Sequence, residues 1–317
     1  MASYTINGLS VTPIHGDFGA ENCMPYIYLL SCFENLIPGF QLIRIQDKYA
    51  VIIFRGTGLD NERHVAFSAQ LGSLEKNPAW GGSERVGTPY LFDVSNIESD
   101  GSLVKKDSRR WHHALGNALW HTDSSFNQHR SKYSLLLAHA VPVAGQGNTE
   151  FADTRQAWKD YPEAEKEKLR RYVVEHELWH SRKLASPDEY EKLTPEERNV
   201  KPPAYHKLVQ QGPSGEETLF LAAHAKTLFD IDGNRLVDSQ KIIWDLIANC
   251  TQSKYTFTAE WKAAGTLMWW DNRQSMHRAS PYTENMGPRD VRRSTVIDDG
   301  PLAFGISKSY TEKLQVK

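Results

Sequence analysis

Short apolar runs bounded by turn residues recur along the chain and predict β-strands. The run at 49–54 is apolar throughout and ends at Arg55-Gly56, which is the pattern of a buried strand. A second run at 133–141 is closed by Pro142, and residues 255–261 alternate between apolar and polar positions. Further strands are predicted at 9–12, 219–223, 266–270 and 293–297.

Other segments carry apolar residues three and four positions apart, the spacing of one helix face. Asp60 is placed to begin a helix over 61–71, which Gly72 would end. A longer helix is predicted from Pro162 to about Lys183, another over 237–249, and 26–37 is compatible with a helix.

The predicted strands outnumber the helices and do not alternate with them one for one. This order disfavours a parallel α/β sheet. It favours a mostly β fold with helical inserts, built as an antiparallel barrel of the jelly-roll type.

Residues 73–115 are rich in turn-forming residues and predict a long loop. Loops of this length in a compact domain are usually functional or mobile. One interpretation is a lid over a substrate; the alternative is a surface excursion without function.

Composition narrows the range of partners and compartments. Lys and Arg number 37 against 39 Asp and Glu, which gives a net charge of −2 and does not favour nucleic-acid binding. The three cysteines form no C-x-x-C pair, so we expect free thiols in a reducing compartment such as the cytoplasm. The N-terminus lacks the pattern of a signal peptide, and no apolar run is long enough to cross a membrane.

His121 and Asp123 lie two positions apart, so an extended backbone would put both side chains on one face. His277 is the candidate for a third ligand. Two histidines and one carboxylate leave open positions on an octahedral ion, which suits non-haem Fe(II) oxygenases. Taken alone, H-x-D is a weak motif, and its usual interpretation is a carboxylate that caps a turn beside a hydrogen-bonded histidine.

A competing motif, H-E-x-x-H, runs from His176 to His180 on the helix predicted above. In zinc peptidases the two histidines of this motif bind zinc and the glutamate is the general base. No clear third ligand follows, and the flanking charges read as a solvated helix face. Of the remaining histidines, His224 follows an apolar strand and is expected to face a pocket.

Three stretches together resemble the taurine/2,4-dichlorophenoxyacetate dioxygenase family of Fe(II)- and 2-oxoglutarate-dependent oxygenases, closest to its aryloxyalkanoate branch. The similarity runs from about Ala50 to about Gly305. The stretches are Asn117–Phe126, which contains the H-x-D motif, Gly147–Asp153 and Arg289–Val296.

The resemblance implies one oxygenase domain over 1–317, folded as a distorted double-stranded β-helix. It would have a lid at about 73–115 and a helical insert at about 154–215. It also implies that His121, Asp123 and His277 bind Fe(II), and that Arg289 and Thr149 bind the distal carboxylate of 2-oxoglutarate. O2 would be consumed, and succinate and CO2 released.

The same resemblance assigns the substrate's acid group to Arg293, and more weakly a substrate contact to Asn117. We therefore expect a small anionic, carboxylate-bearing substrate that is oxidised, usually by hydroxylation, and no nucleic-acid or membrane partner. An internal salt bridge of Arg293, a ligand-binding barrel without catalysis, and a homo-oligomer all stay open. Arg292 should face away from the pocket.

Overall fold

A computed structural model describes residues 3–6, 9–23, 39–77, 83–280, 283 and 285–306. The helix considered at 26–37 lies outside these ranges. The strands are β1 (Tyr4–Ile6), β2 (Leu9–His15), β3 (Phe18–Cys23), β4 (Val51–Phe54), β5 (Phe92–Asp93), β6 (Ser131–Ala140), β7 (Thr149–Asp153), β8 (Val173–His176), β9 (Ala204–Lys207), β10 (Val209–Gln211), β11 (Glu217–Leu219), β12 (Ala225–Phe229), β13 (Thr256–Ala259), β14 (Leu267–Asp271), β15 (Ser275–Ala279) and β16 (Asp290–Ile297).

The helices lie mostly between strands and at one end of the fold. They are α1 (Gly39–Tyr49), α2 (Asn61–Ala69), α3 (Ser83–Val86), α4 (Arg109–Leu115), α5 (Thr154–Lys159), α6 (Glu163–Leu169), α7 (Leu178–Ala185), α8 (Pro187–Glu191), α9 (Pro195–Arg198) and α10 (Ser239–Cys250). As predicted, Asp60 caps α2, and its side chain accepts a hydrogen bond from the Arg63 amide. A membrane-crossing helix, which needs about 20 apolar residues, is not found in the described ranges.

The larger sheet has eight strands in the order β1-β2-β3-β4-β14-β6-β16-β5. Its strand pairs are antiparallel except for β3 with β4, which is parallel. Strand β14 lies in its centre and is buried on both faces: Trp269 packs into one apolar cluster and Trp270 into another. Successive side chains of a strand point to opposite faces, so the Trp-Trp pair supplies both layers of core.

A three-stranded sheet, in the order β13-β7-β15, packs against the larger one. Phe151 of β7 and Phe257 of β13 share an apolar cluster with Leu136 and Trp270 of the larger sheet. The fold is therefore mostly β with helices, as predicted. Within the described ranges the larger sheet has β1 and β5 as free edges, so no closed barrel is seen there.

The single helix predicted from Pro162 to Lys183 is wrong. Helix α6 ends at Leu169, and Val173–His176 form strand β8, which pairs with β9 and β12. Helix α7 then begins at Leu178. The apolar spacing of residues 173–176 is compatible with a helix or a strand. Backbone hydrogen bonds to the neighbouring strands β9 and β12 stabilise the strand.

Candidate metal centre

His121 and His277 are paired through their backbones. Each donates its amide hydrogen to the carbonyl of the other, at N–O distances of 2.9 Å and 2.8 Å. His277 lies in β15, which the turn after β14 brings back against β7. Residues directly opposite in an antiparallel pair point to the same face, and the two imidazole rings accordingly lie with centroids 4.2 Å apart.

Asp123 lies two positions beyond His121 and completes the cluster. Its Oδ1 is 3.8 Å from His121 Nε2, and its Oδ2 is 3.7 Å from His277 Nε2. One ligand atom from each residue lies within 4.8 Å of the others, and all three residues are buried. Ser134 donates a hydrogen bond to Asp123 Oδ2 at 2.8 Å, and Asn272 Oδ1 accepts one from the Asp123 amide.

The protonation states of this cluster suit a cation. Burial lowers the pKa of His121 and of His277, so both imidazoles are neutral at neutral pH. Burial alone would raise the pKa of Asp123, but the positive charge of Arg293, the two histidines and the hydrogen bond from Ser134 together outweigh it, and the pKa falls to about 2. The carbonyl of Leu119 lies 2.7 Å from His121 Nδ1, which places the proton there and leaves the Nε2 lone pair for a metal.

A cavity of about 1320 Å³ opens beside the three residues. Thr149 and Arg289 both line it and are both buried. Thr149 Oγ1 has no hydrogen-bond partner among the described residues, which marks a place for a polar group of a ligand. Arg289 is oriented by the carbonyls of Gly147 and Val94, which accept from its Nε at 3.2 Å and Nη1 at 3.1 Å.

Gly147 has a φ of 59° and lies against the Arg289 side chain. A Cβ there would approach Met286 Sδ to 2.8 Å and Arg289 Cδ to 3.1 Å. The turn before β7 therefore needs glycine both for its left-handed conformation and for the space that Arg289 occupies.

Arg293 also lines the cavity, as Arg289 does. Its Nη1 donates to Asp123 Oδ1, so the internal ion pair considered above is present. Arg292 instead pairs with Asp290 and Asn61, away from the cavity, as predicted. Asn117 lines the cavity and accepts a hydrogen bond from Arg182 at 3.2 Å.

His224 lines the cavity, as predicted, with its ring centroid 5.9 Å from that of His121. Arg182 was not predicted as a site residue. It comes from α7, inside a charged segment whose arginines and lysines resemble an ordinary solvated surface. No sequence signal separates it from them.

The H-E-x-x-H motif does not form a zinc site. His176 lies in β8 while His180 lies in α7, so the two are not on successive turns of one helix. Glu177 pairs with Lys226 at 2.5 Å, and His180 Nε2 lies 3.4 Å from Gln240 Oε1. Within the described ranges, the three-residue cluster at His121 is the group that could hold a metal ion. The zinc peptidase hypothesis is therefore wrong.

The chain is similar in sequence to known alpha-ketoglutarate-dependent dioxygenases. The model of the family described as taurine catabolism dioxygenase TauD, TfdA family matches residues 10–295. The alpha-ketoglutarate-dependent 2,4-dichlorophenoxyacetate dioxygenase of Burkholderia sp. (strain RASC) is 35% identical over 259 residues, which cover 79% of this chain and 82% of the relative. The enzyme of the same name from Cupriavidus pinatubonensis is 33% identical and covers 82% and 88%.

A crystal structure of AAD-2 in complex with Mn(II) and N-oxalylglycine is similar over most of its length. The TM-score is 0.76 at 31% identity, and the match covers 92% of this chain and 98% of that one. Both the arrangement of strands and the sequence are thus shared with proteins of this group.

Proposed function

The chain belongs to the taurine catabolism dioxygenase TauD, TfdA family, and on that premise we propose that His121, Asp123 and His277 hold its iron. The observation that carries this proposal is the convergence of two neutral imidazoles and one ionised carboxylate within 4.8 Å of one another, in the wall of a large cavity. This donor set fits the facial arrangement used by non-haem Fe(II) oxygenases.

The protein is a non-haem iron, 2-oxoglutarate-dependent dioxygenase. When bound, the iron and 2-oxoglutarate supply the oxidising chemistry, in which O2 is consumed and succinate and CO2 are released. The chain itself binds and orients the reactants and limits the access of water to them.

We assign the distal carboxylate of 2-oxoglutarate to Arg289 and Thr149. A guanidinium can donate two parallel hydrogen bonds to a carboxylate, and it stays charged when buried. The Thr149 hydroxyl, which has no hydrogen-bond partner in the part of the chain that the structure describes, would supply one more donor to the same group.

The substrate we propose is a small anion, such as a carboxylate, bound by Arg293 with Asn117 nearby. Both residues line the cavity that contains the metal centre. The relatives named above act on 2,4-dichlorophenoxyacetate, which is an aromatic carboxylate. Hydroxylation is the outcome we expect for the oxidised carbon.

We further propose that the two packed sheets are the halves of a distorted double-stranded β-helix and that the chain works as one oxygenase domain. Segment 73–115 would act as the lid, since Glu75, Phe92, Leu103 and Trp111 all line the cavity. The insert at about 154–215 would close the cavity next to this lid with Trp179, whose ring centroid lies 5.9 Å from that of His113.

The test is a succinate-release screen with Fe(II), 2-oxoglutarate and a panel of carboxylates, sulfonates and amino acids. The wild type should release succinate in a substrate-stimulated manner, and His121→Ala should not. A wild type that binds Fe(II) and 2-oxoglutarate but releases no succinate with any compound would instead support a ligand-binding protein without catalysis.

A further inference from the structure

Arg182 reaches the cavity from α7, a helix of the insert. Asn117 Oδ1 accepts a hydrogen bond from Arg182 Nη2, and this orientation leaves the Asn117 Nδ2 group as a donor. The guanidinium and the amide therefore present only hydrogen-bond donors to the cavity that they both line.

Gly116 makes the space for this guanidinium. A Cβ at Gly116 would lie 1.7 Å from Arg182 Nη1, and the three atoms nearest to it all belong to Arg182. Gly116 has φ −61° and ψ −24°, which any residue adopts, so backbone conformation does not require glycine there. What requires it is the position of the Arg182 side chain.

Arg182 forms no ion pair with a described residue. Three other arginines of the cavity wall have carboxylate partners: Arg293 pairs with Asp123, Arg109 with Glu197 and Arg110 with Asp93. Among the residues described, no carboxylate lies within ion-pairing distance of Arg182, and its one side-chain partner is neutral.

The burial of Arg182 and the nearby positive charge of Arg293 disfavour the charged form of its guanidinium. Burial, together with the positive charge of Arg293, lowers the pKa of Arg182 to about 10, so that it is still charged at neutral pH. A desolvated cation with a neutral partner gains more from an incoming anion than a solvated one does.

We propose that Arg182 is a second anion-binding residue of the substrate site, acting with Arg293 on a compact oxyanion such as a carboxylate, sulfonate or sulfate. This inference rests on the proposed function and extends it. The body of the substrate would lie against the apolar wall formed by Trp111, Trp179 and Phe126. The substrate class is then an apolar or aromatic compound with one acidic end.

The experiment measures equilibrium binding to the complex with Mn(II) and 2-oxoglutarate under nitrogen, where no turnover is needed. The probes are matched pairs: phenoxyacetate with phenoxyacetamide, benzenesulfonate with benzenesulfonamide, and octyl sulfate with octanol. Titration calorimetry gives the preference for the anion over its neutral partner, and the three pairs separate carboxylate, sulfonate and sulfate as the preferred head group.

The wild type should prefer at least one anion by about tenfold or more. Arg182→Gln should reduce that preference by about 10- to 100-fold, the range expected for loss of a charge-assisted hydrogen bond. Binding of the neutral partner should change little. Gly116→Ala should reduce the preference as well, because it displaces the guanidinium without removing it.

Arg171→Gln is the matched control, since Arg171 is an exposed arginine of the same insert. Arg182→Lys keeps a positive charge and should retain part of the preference; it also serves if the glutamine variant does not fold, as judged by circular dichroism. The inference is overturned if the wild type prefers no anion of the panel, or if the Arg182 variants keep the full preference. Absence of succinate release by the wild type would contradict the proposed function but would leave these titrations valid.

Discussion

Two histidine–acid motifs of this chain are of kinds that bind metals in other proteins, and the fold places them in different environments. His121 and Asp123 meet His277, which is far away in sequence, beside a cavity. His176 and His180 are close in sequence but lie on different elements. A spacing of four residues brings side chains together only on a helix, and a strand occupies the first half of the second motif.

The surroundings of the two motifs differ as much as their backbones do. Asp123 supplies the first with a negative charge between two neutral imidazoles. Within the described ranges, the two ring nitrogens of His176 have no hydrogen-bond partner, acidic or otherwise. Its ring lies near the rings of His206 and Phe220. The first environment can bind a cation, and the second packs as core.

The largest expected difference between the two motifs is the loss of metal binding when the carboxylate of the first motif is removed. Asp123→Ala should weaken Mn(II) binding by more than about 100-fold, and succinate release should be lost. Mutation of a residue that only hydrogen-bonds to a metal ligand already lowers metal affinity by about 10- to 100-fold, and Asp123 would be a ligand itself. Titration calorimetry measures the affinity. Glu177→Gln is the matched change in the second motif and should leave the Mn(II) affinity and the rate of succinate release within about twofold of the wild type. If Glu177→Gln abolished Mn(II) binding and Asp123→Ala did not, the metal would instead bind at the second motif.

Arg289→Ala should come next, with 2-oxoglutarate binding weakened by about 10- to 100-fold through loss of charge-assisted hydrogen bonds. Binding is measured by titration of the Mn(II) complex. Arg292→Ala, three positions further along the chain, should leave the affinity unchanged, because its guanidinium pairs with Asp290 and Asn61. Equal effects of the two variants would argue against Arg289 as the anchor.

Thr149→Val should have a smaller effect in the same titration. The change keeps the shape of the side chain and removes one neutral hydrogen bond to the ligand, so we expect about 2- to 10-fold weaker 2-oxoglutarate binding. Thr149→Ser restores the hydroxyl and should bring back most of the affinity. If valine binds as tightly as threonine, the hydroxyl does not contact the ligand.

The smallest effect concerns the second motif and the stability of the fold at low pH. Burial lowers the pKa of His176 well below 6.5, so the folded protein keeps it neutral while the unfolded chain protonates it as the pH falls below 6.5. Below pH 6.5 the unfolded state therefore binds a proton at His176 that the folded state does not bind. The free energy of unfolding falls as the pH falls for this reason. In His176→Phe the free energy of unfolding, from urea denaturation, should fall less steeply below pH 6.5; an unchanged slope would mean that His176 is protonated in the fold.

Much of the fold could be predicted because strands with one or two buried faces have distinct patterns. The runs at 49–54 and 133–141 gave β4 and β6 with shifts of a few residues at their ends. The segment after Pro162 could not be predicted in this way, since its apolar positions satisfy a helix and a strand equally well. Its structure depends on β9 and β12, which follow later in the chain.

Some residues of the candidate site could be predicted from the sequence, and others could not. His121, Asp123, His277, Thr149 and Arg289 could be named because they occur in recognisable stretches. Arg182 could not, because a cation on an insert helix looks like any solvated one until Gly116 and Asn117 are seen beside it.

The sequence by itself determined the strand-forming segments, the residue types of the metal centre and the family to which the chain belongs, because these depend on local pattern and residue chemistry. The tertiary structure alone decided which of two histidine motifs meets a third ligand, and that Arg182 lies in the cavity wall beside Asn117. Both depend on contacts between residues far apart in sequence, and local spacing carries no information about those distances.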